Sequence, residues 1–287
     1  MIILDGIIVV NKEQGYTSND VVQIIKKIYN KKVGHTGTLD PIATGVLPVL
    51  IGKGTLLSKY LINHDKTYIA TLKLGIKTDT GDITGSVLEK NNTDDISLKK
   101  EKIKKVLENI KGEQFQKPPM YSAIKVNGKK LYEYARKGQK VEVSPRKINI
   151  YDIELLEINN EKKEISFKVN CSKGTYIRTL CEQIAEDLGT VGTMSELNRI
   201  KVGEFDISQS VKIDDIKNGY ENIITIESFF KNEKEIIIDS KTQVSFLNGV
   251  KIVIHEKDGI YKIYDKNKKF IGTGKVNNGI LKRDIVI

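Results

Sequence analysis

A chain of 287 residues is long enough to bury a sizeable core and favours one large domain beside a small one. Its 47 Lys and Arg against 37 Asp and Glu give a formal charge of +10 and favour a polyanionic partner such as nucleic acid, although only five of those basic residues are arginine and the wealth of Lys, Ile and Asn also fits A/T-biased coding. The absence of an apolar run of about 18 residues excludes a helical membrane span, Met1 to Asp5 lacks the basic flank and length of a secretory signal, and two cysteines are too few for a disulfide framework or a four-ligand zinc site, so the expected location is the cytoplasm.

The first apolar run is Gly6-Ile7-Ile8-Val9-Val10. Ser18-Asn19-Asp20 then offers an N-cap ahead of Val21, Ile24, Ile25 and Ile28, whose spacing makes one apolar helix face. Next comes Gly34-His35-Thr36-Gly37-Thr38-Leu39-Asp40-Pro41-Ile42-Ala43-Thr44-Gly45-Val46-Leu47-Pro48. Its glycines permit unusual backbone angles, while Pro41 fixes the chain after Asp40 and disfavours the helical region for Asp40 itself. The upstream run and Val46-Leu47-Pro48-Val49-Leu50-Ile51 provide apolar scaffolds on both sides. A lone Asp-Pro is ordinarily a turn, but a carboxylate mounted this rigidly beside a histidine is also how a reactive group is presented.

Ile51-Gly52-Lys53-Gly54-Thr55 has the look of a phosphate-binding loop, yet that motif needs Ser or Thr after the lysine and a glycine five positions before its second glycine, where this chain has Gly54 and Leu47. Nucleoside triphosphate hydrolysis is therefore not expected. Tyr68, Ala70, Leu72 and Leu74 alternate with Ile69, Thr71 and Lys73, the period of a strand with one buried face, and Tyr68 lies on that face. The Asp79 and Asp82 pair, in a Gly/Thr loop, falls short of a calcium cage, and no metal is expected.

In a helix predicted over 99–111, Ile103, Val106, Leu107 and Ile110 form one stripe, while Lys99, Lys100, Lys102, Lys104 and Lys105 make a solvated face. Further strands are predicted at 121–126, 148–158, 164–171 and 196–205, with a helix at 177–188 ended by Gly189. Strands without regular crossover helices argue for an α+β sheet rather than a doubly wound one. Cys171 ends a strand and Cys181 lies in the helix, both as structural thiols. After Phe230 come short β-like runs at 235–238, 251–254 and 259–264, separated by Asn-Gly and Asp-Gly turns and ending in Asn277-Asn278-Gly279 and an apolar run. A unit of roughly 55 residues is marginal alone, so docking on the larger domain is expected.

Four blocks, within roughly residues 9 to 203, carry a resemblance. The first is the Asp40 segment; the second joins Lys66-Thr67-Tyr68 to the loop from Gly75 through Asp79 and Asp82 to Gly85. The third runs from Gln116-Lys117-Pro118-Pro119-Met120-Tyr121-Ser122-Ala123 through Asn127-Gly128 to Leu131-Tyr132-Glu133-Tyr134-Ala135-Arg136. The fourth is Cys171-Ser172-Lys173-Gly174-Thr175-Tyr176-Ile177-Arg178-Thr179-Leu180. In this order they resemble the signatures of the TruB family, the tRNA pseudouridine-55 synthases.

The resemblance implies a mixed, mainly antiparallel pseudouridine-synthase sheet flanked by helices. It further implies a catalytic domain over 1–232 with an RNA-contacting insertion at about 116–147, and a small β-rich PUA-like RNA-binding domain over 233–287. The implied partner is the T-arm stem-loop of tRNA, with no cofactor; from the chain itself no metal, membrane or protein partner is expected, and a monomer is the default because no heptad or repeat appears. Asp40 becomes the nucleophile, by attack on the sugar or on the uracil ring, two routes the sequence leaves open. Arg178 becomes its cation; an arginine at a helix start opposes the helix dipole, which itself calls for another partner. Tyr68 is implied to pack against the base and help collect the C5 proton.

The target must be flipped out of a folded loop at a cost of about a few kcal/mol, and the resemblance gives His35 the place the base vacates. It makes Tyr176 and Leu197 walls of the base pocket. Lys12 would brace the structure near the nucleophile, and Asp82 would contact the substrate or orient Arg178. Two departures stand out: Glu13 where the family usually has proline after the lysine, and Asn198-Arg199 where an Arg-Arg pair often follows the pocket leucine. The second implies a missing phosphate contact. Rival readings are a non-catalytic tRNA-binding or folding module, and a paralogous synthase acting on another RNA.

Overall fold

Strands with buried faces assemble into a sheet of ten, described from a computed structural model in which residues 5–93, 96, 98–139, 141–219 and 222–287 are placed. Met1 to Leu4, most of the segment bearing on a secretory signal, lie outside the described residues. Along the sheet run Ile224–Thr225, Gly6–Lys12, Thr44–Ile51, Gly192–Val202, Lys66–Leu74, Glu164–Cys171, Arg146–Asn159 and Gly112–Gln116, with Val33–His35 and Phe205–Asp206 attached off this path. All pairings are antiparallel except one short parallel contact, Asn198 beside Thr44 and Arg199 beside Gly45. That contact joins the two halves of the sheet at the exit of the Asp40 segment.

The α+β expectation holds. Tyr68, Ala70, Leu72 and Leu74 are buried as their alternation predicts, and they pack with Ile177, Leu180, Cys181 and Ile184 of helix Ile177–Asp187. Helix Lys100–Asn109 buries Ile103, Val106 and Leu107 in the same core. Gly189, at φ 92, follows helix Ile177–Asp187 as expected. Both cysteines are free and buried, and burial pushes the Cys171 thiol up to about 12, which suits a packing role.

A second sheet, of five strands, pairs Lys234–Ile237 with Gly259–Tyr264, then Phe270–Asn277, Ile280–Val286 and Ile252–Val253. Asn278 and Gly279, both at positive φ, form the tight turn between the third and fourth of these. The small sheet docks through a shared apolar cluster in which Ile285, Ile260 and Phe270 meet Leu57, Phe230 and Tyr60. Among the described residues, no helix is long and apolar enough to cross a membrane.

Several expectations fail locally. Thr17, not the Ser18-Asn19-Asp20 group, caps helix Ser18–Tyr29, with Asp20 completing the capping box, because the Ser18 hydroxyl is engaged by Leu39. No strand spans 121–126: only Lys125–Val126 pairs, with Lys129–Lys130, because the carbonyls before it are taken by Arg178, Tyr132 and Leu131. The strand predicted at 196–205 begins at Gly192, ends at Val202 and turns back at Phe205. Strand Gly112–Gln116 was not predicted, since Gly-Glu-Gln-Phe-Gln lacks apolar alternation; nor was helix Ser240–Leu247, embedded in β-like texture.

Candidate active site

The two apolar runs around the Asp40 segment do scaffold it. Gly6–Lys12 and Thr44–Ile51 pair along their whole lengths, from Gly6 beside Ile51 to Lys12 beside Gly45. Between them the chain is pinned repeatedly. The Ser18 hydroxyl accepts from the Leu39 amide at 2.8 Å and donates to its carbonyl at 3.2 Å, and the Gly15 amide donates to the Pro41 carbonyl at 2.8 Å. The Ala43 amide closes on the Asp40 carbonyl at 3.0 Å, so an Asp-Pro turn is indeed present, and its side chain remains available. Of the three glycines credited with special backbone angles, only Gly45 uses one, at φ 103, where a Cβ would also strike the Arg199 carbonyl.

Arg178 reaches Asp40 from the first turn of its helix, with Nε 3.0 Å from Oδ2 and Nη2 3.3 Å from Oδ1. This two-point pairing supplies the compensation that a cation at a helix N-terminus requires. The guanidinium is itself held, donating to the carbonyls of Thr80 and Tyr121 at 2.8 Å each. Burial raises the Asp40 carboxyl above its ordinary value; Arg178 pulls it down, Asp82 adds to the rise, and Lys12 and Arg199 oppose it. Arg178 offsets the desolvation of Asp40 only in part, because burial exceeds it.

A cavity of about 370 Å³ opens beside this pair, lined by Asp40, Tyr68, Tyr176, Arg178 and Leu197 among others. Five of the eight residues singled out from sequence therefore converge. Tyr176 is fixed by its backbone, since Gln116 accepts from its amide at 2.7 Å and donates to its carbonyl at 3.0 Å. The tyrosine hydroxyls of residues 68 and 176 are both driven upward, chiefly by burial.

The remaining three surround the cavity without lining it. Lys12 is buried, donates to the carbonyls of Tyr16 at 2.7 Å and Glu13 at 3.0 Å, and is pushed down to about 8 by burial against the pull of Asp40. Asp82 does not touch Arg178: its carboxylate accepts from the Thr84 amide at 3.0 Å and the Thr80 hydroxyl at 3.1 Å, and it is the Thr80 carbonyl that meets the arginine. His35 accepts from the Gly37 amide through Nδ1 at 3.3 Å, and burial, with Arg199 nearby, holds it below its usual value and favours the neutral ring.

Residues 26–177 match the profile of the TruB family pseudouridylate synthase N terminal domain, residues 178–228 the tRNA pseudouridylate synthase B C-terminal domain, and residues 235–284 the C-terminal part of pseudouridine synthase II TruB. The tRNA pseudouridine synthase B of Clostridium kluyveri is 44% identical over 280 residues, covering 94% of this chain and 95% of that protein. Its counterpart in Clostridium tetani is 46% identical over 281 residues, covering 95% and 96%. The chain belongs to the TruB family.

A chain in the crystal structure of a Cbf5-Nop10-Gar1 complex has the same fold, with a TM-score of 0.65 at 26% identity, covering 96% of this chain and 79% of that one. Within this TruB-family cavity the sequence reading overlooked Lys66, Tyr121, Tyr132 and, above all, Arg199. The family pattern makes Arg199 the remnant of a phosphate-contacting pair, whereas it is 1% exposed and its guanidinium is turned to the carbonyls of Val46, Gly37 and Thr38. The signal is its register: two residues past Leu197 on a strand whose burial alternates, it shares the inward face of that leucine while Glu196 faces out.

Proposed function

We propose that this chain converts uridine 55 in the T-arm of tRNA to pseudouridine. Support comes from relatives named for tRNA pseudouridine synthesis, and above all from one observation: a carboxylate paired at two points with a buried arginine at a nucleobase-sized cavity. The reaction breaks the N1–C1′ bond, forms C5–C1′, sends the C5 proton away and protonates N1, so it is an isomerisation with no redox change and no need of a cofactor or metal.

Asp40 acts as the nucleophile, on the sugar or on the uracil ring, and Arg178 keeps it ionised against desolvation. Tyr68 packs on the freed base and takes part in C5 proton removal. Tyr176 and Leu197 wall the base, and His35, as a neutral ring, fills the space left by the flipped-out uridine. Lys12 braces the turn behind Asp40, and Asp82 orders the 80–84 loop facing the substrate. Residues 1–232 form the catalytic domain, with 116–147 contacting RNA, and 233–287 a PUA-like RNA-binding domain. The protein works in the cytoplasm without a protein partner and as a monomer; sedimentation giving a dimer would overturn the monomeric state.

Tritium release from tRNA labelled at uridine C5 tests the reading. Asp40→Asn should lose roughly 10⁴-fold or more in turnover while tRNA affinity stays within about threefold. Activity surviving that substitution removes Asp40 as nucleophile. Binding without release by the wild type would identify a tRNA-folding module, and release only from another RNA would identify a paralogue.

A further inference from the structure

Two buried charged groups at the cavity, Lys66 and Arg199, have no part in the scheme above, and Arg199 is the more deeply buried. Only five of the 47 basic residues are arginine, and two of those five, Arg178 and Arg199, are buried at this site. Arg178 has its carboxylate. Among the described residues no other arginine is ion-paired with a carboxylate, so the Arg199 charge is met by carbonyl oxygens instead.

Those oxygens belong to both ends of the Asp40 segment. Nε donates to Val46 at 2.8 Å, Nη2 to Gly37 at 3.0 Å and Nη1 to Thr38 at 3.5 Å. On its own strand Arg199 stands directly across from Tyr68, and the two side chains interact. The parallel contact with Gly45 brings the same residue against the exit of the loop. A buried cation without a counter-ion is expensive, and a lysine could not spread planar donors over three carbonyls in this way. In a chain that uses lysine nearly everywhere, an arginine here points to geometry rather than charge.

We propose that Arg199 is a positioning residue that ties the Asp40 loop to the Tyr68 strand, fixing nucleophile and tyrosine relative to each other from the cavity wall. The proposal rests on the roles given above to Asp40 and Tyr68. Its consequence is a loss in the chemical step and not in binding: a displacement of roughly 1 Å at a reacting group costs roughly 10²-fold.

Single-turnover rates and tRNA dissociation constants for the wild type, Arg199→Lys, Tyr68→Phe and the double variant provide the test. Arg199→Lys should react roughly 100-fold more slowly with its dissociation constant within about twofold. The double variant should lose far less than the product of the single losses, because both act through one unit. Arg199→Gln, which leaves no unpaired charge, serves where the lysine variant folds poorly. Multiplicative losses, a rate within about threefold of wild type, or affinity falling as far as rate would each overturn the proposal. So would failure of both variants to fold, which would assign Arg199 to stability alone. Wild-type rates in Tyr68→Phe would remove the role of Tyr68 and overturn the proposal with it, while leaving Asp40 as nucleophile intact.

Discussion

Two irregular segments border the same cavity and are built in opposite ways. The stretch from Thr36 to Ala43 has no helix or strand, yet Thr36, Leu39 and Ala43 are buried, and Ser18, Gly15, Pro48 and Arg199 hold its backbone. The arm at 116–147 has a two-residue strand pair, a short helix Leu131–Ala135 and mostly exposed lysines, and is tied to the cavity chiefly by Gln116 at its root and the Tyr121 carbonyl. Reacting groups belong on a segment whose position is over-determined, while a surface that must accept a large polyanion gains from being held at few points.

If that contrast is right, damage on the loop side should appear in rate and damage on the arm side in affinity. After the loss expected of Asp40→Asn, the next largest effect is expected from Arg178→Lys, which gives up the two-point pairing and at least one carbonyl contact; single-turnover rate should fall roughly 10²-fold. The pH profile adds a sign. Because burial lifts Asp40 above its usual value, activity that needs the carboxylate should rise with pH through a midpoint above the ordinary aspartate range. Asp82→Asn removes a like charge and should move that midpoint down; an upward shift would contradict the electrostatic account.

Next in size, replacing Lys125, Lys129 and Lys130 together by alanine should raise KM roughly tenfold with kcat nearly unchanged, and should flatten the salt dependence of tRNA binding by up to about one unit of slope per lost phosphate contact. A kcat effect would mean that these three lysines also bear on the reacting groups. His35→Ala should weaken apparent affinity or slow flipping several-fold, with chemistry preserved on a pre-flipped or unstructured substrate. Abolished chemistry on that substrate would put His35 with the reacting groups.

A last effect concerns stability and not the reaction. Lys12 titrates at about 8 in the folded protein against 10.5 when unfolded, so between those values the unfolded chain holds the extra proton and folding becomes more favourable as pH rises. The stability of the wild type relative to Lys12→Met, measured by urea denaturation, should therefore grow from pH 8 to about 10. A constant difference would show that Lys12 is not desolvated.

Much of this site was legible in the chain itself. Rigid presentation of Asp40 followed from Pro41 and the flanking apolar runs, and the inward face of Tyr68 from strict alternation. Both depend on interactions within a few residues or on one strand's period, which order in sequence records directly. The failures share a different cause. Ser18 was read as a cap because its link to Leu39 lies outside its own helix. The 121–126 segment was read as a strand because nothing in it reveals that Arg178 takes the Tyr121 carbonyl. Of the two roles open to Asp82, contact with substrate or orientation of Arg178, the chain gives no sign that any link to the arginine passes through its neighbour Thr80.

Arg199 shows where the division falls. That it lies on a strand two residues past a pocket leucine is written in the sequence, as is the rarity of arginine in this chain. That its guanidinium closes on Val46, Gly37 and Thr38 and stands across from Tyr68 was decided only when strands distant in sequence came side by side. Local order fixes which way a side chain points, whereas the partners that satisfy a buried charge come from remote segments whose register is settled by packing of the whole core.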